Sequence, residues 1–67
     1  MTVWIQLNGE EYELQGSTLA DLIEQLGYPG KRFAVEVNRE IISKSEYPNV
    51  MLKNDDTVEI VHAIGGG

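Results

Sequence analysis

The chain of 67 residues has no cysteine and a single histidine. Without cysteine there is no disulfide framework, no thiol nucleophile and no thiolate metal site. One histidine, with no carboxylate–histidine spacing around it, does not make a zinc cluster. Basic residues are scarce too: five Lys and Arg stand against eleven Asp and Glu, for a net charge of −6. That balance argues against nucleic acid, whose phosphates demand a positive face. It suits a soluble chain whose partner offers a basic docking surface. No apolar run approaches membrane-spanning length and no signal-peptide pattern opens the sequence, so no membrane association and a cytoplasmic setting are expected. Neither GxxxxGK[ST] nor GxGxxG occurs, so no phosphate-cradling glycine loop is present. The length leaves room for one small domain, with stability of roughly 3–5 kcal/mol and little scope for a deep private active site.

What the chain does have is strong local punctuation. Thr2-Val3-Trp4-Ile5-Gln6-Leu7 is followed by Asn8-Gly9 and then Glu10-Glu11-Tyr12-Glu13-Leu14. Asn-Gly between alternating runs signals a two-residue hairpin turn, because both residues tolerate positive φ. Such a turn sets Leu7 opposite Glu10, Ile5 opposite Tyr12 and Val3 opposite Leu14. Val3, Ile5, Tyr12 and Leu14 then share one face, and Gln6, Glu11 and Glu13 the other. Trp4 falls on the polar face.

Gly16-Ser17-Thr18 ends the hairpin and begins a helix. Thr18 with Asp21 resembles a capping box, with Ser17 as a rival cap. Leu19, Leu22, Ile23 and Leu26 form one apolar stripe, while Asp21, Glu24 and Gln25 lie off it. Gly27 is placed to end the helix in the left-handed conformation, and Pro29 forbids continuation. Phe33-Ala34-Val35-Glu36-Val37 alternates again, with Phe33, Val35 and Val37 inward. Asn38-Arg39 turns into a short strand at Glu40-Ile41-Ile42. Ser43 to Pro48 is polar and irregular, with room for a short helical turn, and Val50-Met51-Leu52 reads as a buried connector or short strand. Lys53-Asn54-Asp55-Asp56 is a turn. Thr57 to Ala63 is the last strand, inward at Val58 and Ile60.

One helix on a mixed sheet of four or five strands, in this order, is an α+β arrangement of the β-grasp, or ubiquitin-like, kind. Its first and last strands lie parallel at the centre, and the helix supplies the crossover that parallel neighbours need. The domain is expected to span residues 1–64, with 65–67 a slender glycine tail leaving a central strand.

With its C-terminal Gly-Gly, its length and its lack of cysteine, the sequence resembles the ThiS family of thiamin-biosynthesis sulfur carriers. The stretches that carry the resemblance are Phe33 to Ile42 and Asp56 to Gly67. One departure is Asp55, in a turn where the family often has glycine. The resemblance implies a carrier rather than an enzyme, with no bound cofactor. A ThiF-like adenylyltransferase would use ATP to convert the Gly67 carboxylate to an acyl-adenylate. Sulfur from a donor enzyme would displace AMP to give a thiocarboxylate, for delivery to a ThiG-like thiazole synthase. Near alternatives are the small subunit of molybdopterin synthase, a ubiquitin-like modifier that forms isopeptide bonds, and a plain β-grasp interaction domain.

Chemical reasoning runs beside this. A carboxylate is a poor electrophile, and a mixed anhydride with AMP supplies a leaving group. Gly65 and Gly66 let the backbone lie against a channel wall, and Gly67 is unhindered. With no ATP loop and no thiol in the chain, activation and sulfur chemistry fall to partners, and the free protein is expected to be a monomer. Trp4, Val61, Ala63 and Ala34 share outward parity and are expected to form an apolar docking patch near the tail, with Ile64 an anchor at the channel mouth. A lone exposed aromatic such as Trp4 is also ordinary. His62 reads as a structural histidine, Lys31-Arg32 as a solvated pair, and Tyr28 and Tyr47 as packing residues with wet hydroxyls.

Overall fold

Asn8 and Gly9 take φ of 49° and 84°, the two left-handed conformations that a tight hairpin turn requires. They join β1 (Thr2–Leu7) to β2 (Glu10–Gln15), which pair antiparallel from Thr2↔Gln15 to Leu7↔Glu10. The register is the one the sequence dictates. The computed structural model describes residues 2–27 and 33–62. Beyond the hairpin it places α1 (Leu19–Leu26), β3 (Phe33–Val37), β4 (Glu40–Ile42), a 3-10 helix (Lys44–Asn49) and β5 (Thr57–His62). The strands form one five-stranded sheet in the order β2-β1-β5-β3-β4. β1 and β5 are parallel and central; every other pairing is antiparallel.

The sheet buries one face. Ile5, Leu14, Val35, Val58 and Ile60 point into it and meet Leu19 and Leu22 of α1, with Tyr47 of the 3-10 helix stacked on Phe33 at 6.4 Å between ring centroids. Desolvation raises the Tyr47 phenol above its usual range, so this ring is a core residue. The connector of residues 50–52 is buried mainly through Leu52: Met51 points outward and makes a single bridge to Thr18. Tyr28, Lys31 and Arg32 lie outside the described residues.

Helix α1 starts at a full capping box. Asp21 N–H donates to the Thr18 hydroxyl at 3.1 Å, and the Asp21 carboxylate accepts the Thr18 N–H at 3.1 Å and the Ser17 N–H at 3.0 Å. The Ser17 and Thr18 backbone bonds hold the Asp21 carboxyl below its usual 3.8. Gly16 makes room for this: at φ 119°, a Cβ there would stand 2.6 Å from the Asp21 carboxylate. The helix ends at Gly27, left-handed at φ 71°.

β5 is held at its start from both sides. On the β1 side, Trp4 N–H donates to the Asn54 side chain at 2.9 Å, Asp55 N–H to Trp4 O at 2.8 Å, and Gln6 N–H to Asp56 O at 2.9 Å. Asn8, besides turning the hairpin, accepts the Ile60 N–H on its side-chain oxygen at 2.8 Å. On the β3 side, Asn38 exchanges bonds with Thr57, side-chain oxygen to N–H at 2.9 Å and N–H to carbonyl at 2.7 Å. Asp56 lies between. Only 9% exposed, it accepts the Lys53 N–H at 2.8 Å and the Asn38 amide at 3.1 Å. Asp55 takes φ 76°, a left-handed conformation that glycine adopts freely and that Asp tolerates better than most residues.

Two stability measurements follow. A depressed carboxyl pKa contributes stability above the unfolded value that is lost as pH falls through the folded one. Urea midpoints taken from neutral pH downward should therefore fall less steeply below 3.8 in Asp21→Asn, which keeps an acceptor and loses the titration. Asp56→Ala strands the Lys53 N–H and the Asn38 amide, and chemical denaturation should show a loss of about 1–3 kcal/mol.

Candidate functional site

The opposite face of the sheet is uncovered by any described element and is mostly polar. Side-chain alternation puts Gln6 of β1, Glu11 and Glu13 of β2, Glu36 of β3 and Glu59 of β5 on it. Three large hydrophobic side chains also stand there: Trp4 at 46% exposed, Val61 at 58% and Ile41 at 72%. Exposed Ala34 is the direct cross-strand partner of Val61. Glu36 faces Glu59 on one side and Ile41 on the other. Glu36 and Glu59 are thus directly opposite, with the Arg39 cation on the same surface. With Asn38, Arg39 and Thr57 they line a shallow open depression.

The structure brings together Ala34 and Val61, at the end of the sheet where the chain runs on into Ala63 and Ile64. It does not bring Trp4 to them. Since β1 and β5 are parallel with Gln6 level with Thr57, Trp4 stands level with Asp55, at the start of β5. From there to Val61 is about 20 Å at roughly 3.3 Å per residue. Shared parity is not proximity, and the expected single patch of Trp4, Ala34 and Val61 is corrected to two separate sites. In place of Trp4, the neighbour of the Ala34–Val61 pair is Ile41, diagonal to Ala34 across β3 and β4. Sequence reading assigned Ile41 only to a short strand. Its alternation with Ile42, which packs on the core, was the available signal.

Ala63, Ile64, Gly65, Gly66 and Gly67 lie outside the described residues. His62 is the last residue of β5, paired with Phe33. Among the described residues no helix is long and apolar enough to cross a membrane.

Known proteins place this arrangement. The sequence profile of the ThiS family matches residues 5–67. The sulfur carrier protein ThiS of Bacillus subtilis is 40% identical over 65 residues, which cover 94% of this chain and 98% of that protein. A thiazole synthase of Magnetococcus marinus is 44% identical over 64 residues, 94% of this chain but 20% of that protein, so the chain spans about a fifth of that relative's length. The crystal structure of a thiamine biosynthesis protein (ThiS) from Geobacter metallireducens superposes with a TM-score of 0.81 at 25% identity, covering 97% of this chain and all of that one. The five-stranded sheet with one helix is therefore the β-grasp fold of that protein, and the chain belongs to the ThiS family.

Proposed function

We propose that the chain carries sulfur on the carboxylate of Gly67 and is a co-substrate of partner enzymes rather than a catalyst. The observation that supports this is the sequence Ile64-Gly65-Gly66-Gly67 following directly on β5, a central strand, in a ThiS-family chain without cysteine. In this reading a Gly67 carboxylate oxygen attacks the α-phosphorus of ATP on a ThiF-like adenylyltransferase, and pyrophosphate leaves. Hydrosulfide released by a donor enzyme then attacks the acyl carbon, the C–O bond to AMP breaks, AMP leaves, and a thiocarboxylate remains once the thiol proton is lost to solvent. Gly65 and Gly66 thread the partner's channel with no side chain to clash, and Ile64 and Ala63 seat at its mouth. The likeness to thiazole synthases favours a ThiG-like enzyme as the acceptor of the sulfur. The setting is the cytoplasm, where ATP is at hand, and the free protein is a monomer.

Docking falls on the outer face near the end of β5. Val61 and Ala34 form its apolar centre, and the neighbouring Glu36 and Glu59 offer carboxylates to a cationic group of the partner. Trp4, about 20 Å away along the sheet, is a separate contact at most.

Incubation with ATP, the adenylyltransferase and a sulfur source should exchange one oxygen for sulfur at the C-terminus, read by intact mass. Deletion of Gly66 and Gly67 should abolish the exchange. Adducts on other proteins would instead identify a modifier. In calorimetric titration against the adenylyltransferase, Val61→Arg should weaken binding about tenfold or more, about 1.4 kcal/mol, and Trp4→Glu should change it far less.

A further inference from the structure

The two edges of this sheet are treated differently. At the β2 edge, the two-residue turn makes Leu7↔Glu10 the first hydrogen-bonded pair, so Gln6↔Glu11, Trp4↔Glu13 and Thr2↔Gln15 are non-bonded pairs. The N–H and C=O groups of Glu11, Glu13 and Gln15 therefore point outward from the sheet. Gln15 is closed off: the Gln25 side-chain amide accepts its N–H at 3.2 Å and donates to its C=O, as a neighbouring strand would. Glu11 and Glu13 put charges along the remainder of the edge. Both are devices that keep a strand edge from pairing with another chain.

The β4 edge has no closing side chain among the described residues, and its one charge, Glu40, lies on the opposite face of the strand from Ile41. Asn38 and Arg39, at φ 51° and 71°, form a second tight turn, so Val37↔Glu40 is the hydrogen-bonded pair and Glu36↔Ile41 is not. The N–H and C=O of Ile41 point away from β3, and no described residue meets them. The Ile41 side chain stands 72% exposed at the middle of the strand. An open backbone edge carrying an exposed β-branched residue is a pairing template, and native proteins blunt such edges unless they use them.

We propose that β4 is a strand-addition edge, and that a partner protein binds by laying an extended segment along Glu40–Ile42. The segment accepts the Ile41 N–H, donates to the Ile41 C=O and covers the Ile41 side chain with an apolar residue. Charge fixes its composition: Glu36 beside Ile41, Glu40 on the strand itself and the chain's net charge of −6 call for a cationic residue next to the apolar one. The net charge of −6 argues against a second copy of this chain, which would bring the same charge to the edge. The inference rests on the docking reading above and extends that face by one strand beyond Ala34.

The test uses the full chain and the adenylyltransferase. Hydrogen exchange at the Ile41 amide, fast in the free protein, should slow on complex formation. Ile41→Pro removes the outward N–H at an edge position where proline's fixed φ is tolerated, and should weaken binding tenfold or more. Ile41→Thr, which keeps strand propensity, should weaken it less. If the Ile41 amide exchanges equally fast in the complex, strand addition is overturned, and this readout stands even where Ile41→Pro fails to fold. If folded Ile41→Pro binds like the unmodified chain while Val61→Arg does not, strand addition fails and the docking face remains. If Val61→Arg also binds normally, the docking reading fails and takes strand addition with it.

Discussion

Parallel neighbouring strands cannot be joined by a tight turn, and the pairing of β1 with β5 sets most of what this chain must do. The whole of β2, α1, β3, β4 and the 3-10 helix is the connection between them. Helix α1 has to cross the inner face, which is why its apolar stripe buries Leu19 and Leu22 against Ile5, Leu14 and Val58. β3 then returns antiparallel on the far side of β5. The strand that leads into the glycine tail is thereby supported on both sides, and its reactive end, in the reading offered above, issues from the middle of a sheet.

Side chains do much of the work where that pairing begins. Asn38 accepts the N–H of Thr57 at the start of β5, Asn54 that of Trp4 in β1, Asp56 that of Lys53 and Asn8 that of Ile60 within β5, and Asp56 does so almost fully buried. Their bonds to backbone complete the ladder where strands of unequal length run out. The two asparagines at hairpin turns serve twice, once through a left-handed backbone and once through the side-chain oxygen.

What could be read from the sequence follows the range of the forces involved. The β1–β2 register, the Thr18–Asp21 capping box and the Gly27 stop are set by residues a few positions apart, and all are found as expected. The strand order was accessible as well, because crossover rules leave few alternatives. Parallel register was not, since no turn links β1 to β5; Trp4 was consequently assigned a neighbourhood that belongs to Ile41. Asp56 looked like one more polar turn residue, because its burial arises only when the β3–β4 turn closes over it. The tail residues 63–67, which carry the chemistry of the reading, rest on family membership and composition rather than on described geometry.

The position of β5 also has a consequence for recognition. It comes last in the element order and lies between β1 and β3. A misfolded chain would carry the same glycines yet lack the outer face, because Val61 meets Ala34 only once β5 is in register. Partners that recognise the tail together with that face would therefore discriminate against incomplete molecules. Under the proposed function, activation by such partners would be confined to carriers whose final strand is in place.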